Sequence, residues 1–395
     1  MLQQKIEAQR IIGSYGEANG PTVIILGGVH GNEPSAIYAM QTVFEHLERE
    51  LPPFRGKFVG VTGNLAAIER SMRYLEQDLN RMWTPAKVNE LLESPLFGND
   101  LTAEHAEQRA LYNLFQDYIR DAVHPVYILD FHTTSSESPP FVILADTIRN
   151  RKLGLTFGVP LILGLEELLE GTIMHYAGDL GLCTLALESG QHNDERSIQR
   201  HISATWLSLV STGCLAAEDV PDYESHQKRM KDATRQLSPV FEVRYRYGVK
   251  PNEEFYMSPG FKNFQSIKKG QLLASNRDGE IFNHLDGNIF MPLYQSQGND
   301  GYFIIRPVSM FWLKLSEWMR KLKFEKIIPI LPGIQRSPES ATEFIVNRKI
   351  ARWLVIEIFH LLGYRRKRIE NGKLVVTRRK FDFHGPEEIR DSENR

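Results

Sequence analysis

The stretch Val23–Glu33, VIILGGVHGNE, constrains this chain more than any other, because a short apolar run in it ends at two glycines. The run Val23–Leu26 is mostly β-branched and is flanked by turn residues, which favours a buried strand over a helix. Pro34 follows and favours the first turn of a helix. His30 and Glu33 are therefore predicted to lie on a tight strand-to-helix loop, where open α/β sheets hold their ligands.

An imidazole and a carboxylate on one short loop suit a zinc ion. Two ligands alone do not make a site. The alternative is that His30 binds loop carbonyls while Glu33 occupies the first helical turn, where negative charge is favoured. A phosphate-binding loop fits less well, because the glycine spacing matches neither nucleotide-binding pattern and no lysine follows.

The pattern of strands and helices continues beyond this loop. Alternation of this kind predicts an α/β fold with helices on both faces of the sheet, in a domain spanning residues 1–235. Further strands are predicted at Lys57–Thr62, Val126–Phe131, Phe141–Ala145, Leu161–Leu163 and Cys183–Leu187, and the main helices at Pro34–Glu50, Thr102–Val123 and Asn193–Gly213.

Two further regions follow. Glycines punctuate short β-rich runs over residues 236–307, which predicts a small β-rich domain. Residues 308–395 are predicted to form a helical and basic C-terminal extension, with helical character in Phe311–Leu322 and Ala341–Leu362 and a basic run at Arg365–Arg368. Such a helix covers a neighbouring domain or a dimer seam, or lies on a membrane surface.

Composition narrows the function classes. A net charge of −2 over 395 residues gives no reason to expect nucleic-acid binding. Two cysteines are too few for a disulfide framework. No signal peptide or membrane-spanning run is found, which predicts a cytoplasmic protein without membrane association. A homo-oligomer is possible.

A third candidate ligand, His132, follows the predicted strand Val126–Phe131. Three protein ligands leave the fourth tetrahedral position for water, as in catalytic zinc sites. Asp130 lies two residues earlier, on the same side of the strand, and could orient a ligand imidazole. The alternative for Asp130 is a buried or capping carboxylate.

Other polar side chains complete a hydrolytic set. Glu188 directly follows an apolar strand and suits the role of general base beside a metal-activated water. Of Arg73 and Arg81, one could stabilise an oxyanion, while the other could hold a substrate carboxylate together with Asn80. The alternative for either arginine is a salt bridge to Glu76 or Asp78.

Four motifs in this order resemble the succinylglutamate desuccinylase/aspartoacylase family, which is related to the zinc carboxypeptidases. They are HGNE at His30–Glu33, RYLEQDLNR at Arg73–Arg81, DFHTT at Asp130–Thr134 and LES at Leu187–Ser189. The resemblance implies a carboxypeptidase-like mixed sheet with helices on both faces, followed by the family's C-terminal β domain.

The resemblance also implies residue roles and one Zn²⁺ per chain. The zinc ligands would be His30, Glu33 and His132, the base Glu188, the oxyanion group Arg73, the carboxylate clamp Asn80 with Arg81, and the tyrosine that closes the site Tyr302. The chain departs from the family at one place. Aspartoacylases carry an arginine about ten residues before the catalytic glutamate, and here Gly178 occupies that region.

These features predict a zinc-dependent hydrolase acting on an N-acyl amino acid or a similar small carboxylate. The neighbouring alternative is a zinc carboxypeptidase or amidase acting on peptides. The alternative from another class is a non-catalytic module that binds a metal or a ligand. A base beside the metal argues against that module, because binding alone does not need one.

Overall fold

The computed structural model describes residues 8–93, 102–120, 122–324, 328, 333–337, 343–347, 359, 362–370, 373–379 and 381–386. The strands are β1 (Ile11–Gly16), β2 (Thr22–Gly27), β3 (Lys57–Thr62), β4 (Val126–Thr134), β5 (Phe141–Ile143), β6 (Leu161–Leu163), β7 (Cys183–Gln191), β8 (Val240–Gly248), β9 (Tyr256–Met257), β10 (Ser266–Ile267), β11 (Leu272–Asn276), β12 (Gly279–Phe282), β13 (Gly287–Phe290), β14 (Asp300–Pro307), β15 (Ile334–Arg336), β16 (Glu343–Val346), β17 (Tyr364–Glu370) and β18 (Lys373–Arg378). The helices are α1 (Ser35–Glu50), α2 (Leu65–Glu69), α3 (Pro85–Glu93), α4 (Ala103–Ile119), α5 (Ile148–Thr156), α6 (Ile173–Asp179), α7 (Glu195–Ser211), α8 (Tyr223–Thr234) and α9 (Met310–Lys321).

A mixed sheet of 11 strands organises the molecule, in the order β1-β3-β2-β4-β7-β5-β6-β8-β14-β13-β10. Its centre, β3-β2-β4-β7, is parallel, whereas β5 runs antiparallel to β7. The predicted mixed α/β fold is confirmed. Strands β8 and β14 of the predicted β-rich domain continue this sheet through the pairing of β6 with β8. The domain division at residues 235 and 236 stays a prediction.

Helices cover both faces of the sheet because β2 is apolar on both sides. Val23 and Ile25 pack into a core with α1 and α7, whereas Ile24 and Leu26 pack on the opposite face with α4 and α6. This alternation follows from the two-residue period of a strand. Each face of the central strands is thereby shielded from water, and the carboxyl ends of β2, β4 and β7 lie side by side.

The C-terminal extension begins with α9, as predicted, and continues into an antiparallel sheet in the order β15-β16-β18-β17. The expectation of helical character over 341–362 is wrong at Glu343–Val346, which is the strand β16. Alternating apolar residues there bury Phe344 and Val346 against β18. Residues 348–358 lie outside the described ranges, and the basic run Arg365–Arg368 falls within β17.

The extension docks on the main sheet through a buried ion-pair cluster. Arg320 of α9 is 1% exposed. Its guanidinium donates to Asp146 at 2.9 Å and to Asp382 at 3.0 Å. Within the described ranges, no helix combines the length and apolar character needed to cross a membrane.

Candidate metal centre and active site

The loop between β2 and α1 is shaped by close backbone packing. Gly28 has a φ of +67°, a conformation that favours glycine. A Cβ on Gly31 would lie 2.1 Å from the backbone carbon of Ala67, so only glycine fits there. The chain therefore turns sharply enough to bring both His30 and Glu33 under the edge of the sheet.

Three buried side chains meet at this edge. Ligand atoms of His30, Glu33 and His132 all lie within 4.8 Å of one another. The two carboxylate oxygens of Glu33 divide between the imidazoles, with Oε1 3.0 Å from His30 Nδ1 and Oε2 3.0 Å from His132 Nδ1. Oε2 also accepts the backbone N–H of Thr133 at 2.9 Å. The predicted ligands from two distant strand ends therefore converge.

Each histidine is oriented from behind by an aspartate. Asp78 Oδ1 lies 3.2 Å from His30 Nε2, and Asp130 Oδ2 lies 2.7 Å from His132 Nε2. Because an ionised carboxylate only accepts hydrogen bonds, each aspartate holds a proton on the Nε2 atom that it faces, and loss of the Nδ1 proton would leave Nδ1 as the atom that can bind a metal. Two imidazole nitrogens and a carboxylate oxygen are the donor set of a catalytic zinc site, so the residues present fit that ion.

The charges of the site favour a cation. Burial disfavours the ionised form of Glu33, but His30 and His132 outweigh burial and hold the pKa of this carboxyl well below its usual value. Burial likewise lowers the pKa of His132, but Asp130 and Glu33 outweigh it and hold that pKa well above the usual value. The carboxylates therefore attract positive charge, which a proton or a metal ion supplies.

Glu188 lies on the neighbouring strand, paired in register with His132 across β4 and β7. Its side chain is nearly buried, and its Oε2 atom has no hydrogen-bond partner among the described residues. Burial raises the pKa of Glu188 to about 8. A carboxylate with this pKa accepts a proton readily near neutral pH.

Arg73 brings a positive charge to the same pocket. Its Nη2 donates to Asp78 at 3.1 Å, and its Nη1 lies 3.6 Å from Glu33 Oε1. The Nε atom is buried and has no hydrogen-bond partner in the described part of the chain. This N–H is thus free to donate to a bound ligand.

Asn80 and Arg81 both line the pocket, but each is engaged. Asn80 donates to Asp130 at 3.3 Å and accepts the backbone N–H of Ile173 at 2.9 Å. Arg81 donates to Asp300 at 2.9 Å. The carboxylate clamp stays a prediction, and Arg81 is already paired with the carboxylate of Asp300.

Tyr302 does not line this pocket, so the expectation that it closes the site is corrected. Its side chain is 1% exposed and stacks on Tyr247 with ring centroids 5.3 Å apart. The residue belongs to an apolar core of the β-rich region. The mouth of the pocket is instead lined from this region by Met291, Leu293, Gln295, Gly298, Asn299, Asp300 and Phe303.

Sequence reasoning missed two contributors. Asp78 was interpreted only as an alternative partner for an arginine, whereas it also orients His30. Its position inside the RYLEQDLNR motif was the available signal. Asp300 pairs with both Arg81 and Arg246, and Arg246 Nε donates to Asp300 Oδ1 at 2.6 Å. No local pattern marks that pairing.

Comparison with known proteins identifies the catalytic domain. Residues 19–210 match the model of the succinylglutamate desuccinylase/aspartoacylase catalytic domain. A succinylglutamate desuccinylase of Serratia proteamaculans is 24% identical over 276 residues, which cover 66% of this chain and 76% of that protein. One from Yersinia pestis is 26% identical over 239 residues, covering 56% of this chain and 68% of that protein.

Solved structures show the same fold. Succinylglutamate desuccinylase from Vibrio parahaemolyticus superposes with a TM-score of 0.52 at 15% identity, covering 75% of this chain and 84% of that one. Murine aminoacylase 3 superposes with a TM-score of 0.50 at 16% identity, covering 74% of this chain and 97% of that one. Residues 19–210 of this chain thus match the catalytic domain of the succinylglutamate desuccinylase/aspartoacylase family, which supports the resemblance carried by the four motifs.

Proposed function

We propose that this protein is a zinc-dependent deacylase that hydrolyses the amide or ester bond of an N-acyl amino acid or a similar small carboxylate. The observation that carries the proposal is the convergence of His30, Glu33 and His132, with Glu188 in register beside them. Resemblance to a family that contains succinylglutamate desuccinylases supports the same reaction class.

Zinc held by the two Nδ1 atoms and Glu33 would supply a Lewis acid that makes water acidic enough to attack near neutral pH. Glu188 takes the proton from the attacking water and later gives it to the leaving nitrogen or oxygen. The bond from the water oxygen to the acyl carbon forms as the carbonyl π bond breaks, which puts negative charge on the acyl oxygen, and the bond to the leaving group then breaks as that group takes the proton. Its raised pKa suits Glu188 to both transfers.

Arg73 is the proposed oxyanion group. Arg73 lines the pocket, and its Nε–H has no hydrogen-bond partner among the described residues. The negative charge of Glu188 is one of those that raise the pKa of Arg73. A buried guanidinium donates a strong hydrogen bond to the negative oxygen that develops on the acyl group. Arg81 then releases the carboxylate of Asp300 and binds the carboxylate of the substrate in its place. Asn80 supports this carboxylate clamp.

A narrowed mouth favours small substrates over peptides. Residues of the loop before β14, including Leu293 and Gln295, line the pocket opposite the metal ligands. Gln295 Oε1 accepts from Asn32 Nδ2 at 3.1 Å and lies 3.2 Å from His192 Nε2. These contacts tie the β-rich region to the metal loop, which supports a small substrate over an extended peptide.

The test measures carboxylate release from a panel of N-acyl amino acids, comparing chelator-treated protein with the same sample after zinc is restored. Zinc-dependent hydrolysis of any member would support the proposal. If the protein binds zinc tightly but hydrolyses no compound of the panel, the proposal is contradicted.

A substitution assigns the base. Glu188→Gln is expected to keep stoichiometric zinc while kcat falls at least about a hundredfold, in line with the loss of general-base catalysis. Zinc content is read by elemental analysis. Full activity of the variant would exclude Glu188 as the base.

A further inference from the structure

The pocket extends beyond the metal centre along β7. Glu188, Ala186 and Thr184 point to the same face of this strand, and all three line the pocket. Since a strand rises about 3.3 Å per residue, roughly 13 Å of strand separates Glu188 from Thr184. The far part of a substrate can therefore extend along β7. We call the part of the pocket that is lined by Thr184, Ala145 and Glu166 the inner end.

Glu166 stands at the inner end and is 9% exposed. Its Oε1 accepts from Arg379 Nη2, which the C-terminal extension supplies from 213 residues away. Its Oε2 is buried and has no hydrogen-bond partner among the residues that the structure describes. A buried carboxylate oxygen without a donor is unfavourable, and a bound donor would remove that cost.

Arg379 does not neutralise this region, because it serves two carboxylates. The same Nη2 atom lies 3.1 Å from Glu167 Oε1. Burial raises the pKa of Glu166, although Arg379 lowers it. A donor placed against Oε2 would therefore stabilise the ionised carboxylate, whereas an anion would be repelled.

The cations that line the rest of the pocket are already paired. Arg73 donates to Asp78, and Arg81 donates to Asp300. Gly178, in the region where aspartoacylases carry their arginine, lines a neighbouring cavity that shares Glu166 and His175 with the pocket. The inner end thus presents the carboxylate of Glu166 beside the cavity that Gly178 lines.

We propose that the inner end is a subsite for a hydrogen-bond donor, an ammonium or amide N–H at the far end of the substrate, which Glu166 Oε2 accepts. The proposal rests on the deacylase function above and adds a substrate class. Arg379 acts as a positioning residue, because it binds Oε1 and leaves Oε2 without a partner among the described residues. Substrates with a distal carboxylate are disfavoured.

The experiment compares matched substrates on the zinc-loaded full chain. One pair is Nα-acetyl-lysine and Nα-acetyl-norleucine, and the other is N-(6-aminohexanoyl)glycine and N-hexanoylglycine. In at least one pair, kcat/KM is expected to be tenfold or more higher for the amine. N-succinylglycine is expected to be slower than its neutral counterparts. Equal rates within both pairs, or a preference for the succinyl compound, would overturn the proposal.

The variant Glu166→Gln is expected to lower the amine-to-alkyl ratio about tenfold. Glu167→Gln is the matched control, because Glu167 also pairs with Arg379 but does not line the pocket. Its ratio should stay within twofold of the original. An unchanged ratio in Glu166→Gln, or an equal change in both variants, would overturn the subsite.

A binding measurement separates this proposal from the proposed function. If the zinc-loaded protein hydrolyses none of the substrates, the deacylase proposal fails, and calorimetry then compares the affinities of the same compounds. The subsite is supported if the amine of a pair binds more tightly than its alkyl counterpart and if Glu166→Gln removes that difference in affinity. Equal or undetectable affinities within each pair overturn it.

Discussion

Glu188→Gln is expected to stabilise the chelator-treated protein at alkaline pH, and the sign follows from burial. The side chain is 5% exposed, and its pKa is raised from the ordinary 4.5 to about 8. A group whose folded-state pKa is raised makes folding less favourable as pH rises from the unfolded to the folded value. The native state therefore loses stability between pH 4.5 and about 8.

The magnitude follows from the same two values. One pKa unit corresponds to about 1.4 kcal/mol, so ionised Glu188 costs the native state roughly 5 kcal/mol as an upper estimate. Glutamine avoids this cost but buries an amide with incomplete hydrogen bonds, at about 1–3 kcal/mol. The variant should therefore gain roughly 2–4 kcal/mol at pH 9, but lose up to about 2 kcal/mol at pH 5, where native Glu188 is protonated and the amide cost dominates.

Urea unfolding of both proteins at pH 5 and pH 9, with chelator present, gives the two differences in the free energy of unfolding. His132 and Glu33 interact with Glu188, so the test is the change in this difference between the two pH values and not either value alone. The same difference at both pH values would refute the reasoning, because it would show that Glu188 does not ionise with a raised pKa.

Three other substitutions test a partner of a metal ligand, the packing of the metal-binding loop and the docking of the C-terminal extension. Asp130→Asn should weaken zinc binding about 10–100-fold, measured by chelator competition, because His132 loses its carboxylate partner; unchanged affinity would contradict this role. Gly31→Ala should destabilise the protein by about 1–3 kcal/mol in thermal or urea unfolding, because its Cβ overlaps the backbone of Ala67; a neutral effect would exclude that overlap. Arg320→Met should lower the free energy of unfolding by about 3–5 kcal/mol, because buried Asp382 loses its guanidinium partner and Asp146 keeps only Arg151, whereas a loss under 1 kcal/mol would show that the extension docks by other contacts.

Most of the central sheet was predictable because its signals are local. Apolar runs such as Lys57–Thr62, which became β3 with the same bounds, carry the strand period in a few adjacent residues. The helix Ala341–Leu362 was predicted from the same kind of pattern, and the strand β16 contradicts it. A short apolar run fits a buried strand as well as a helix, and the pairing of β16 with β18 decides between them.

The sequence by itself determined the chemistry available at the strand ends: the ligand types at His30, Glu33 and His132, and a carboxylate at Glu188. Short motifs carry residue type and spacing, which are the properties that metal binding and proton transfer require. Their order along the chain was enough to indicate the family.

Only the tertiary structure decided which side chains meet. Tyr302, a candidate for the site, is buried in an apolar core, whereas Asp300, two residues earlier, reaches Arg81. Arg379 arrives at Glu166 from the C-terminal extension, far away in sequence. The physical reason is that such contacts depend on how strands and domains pack, and the residues between them carry no signal of that packing.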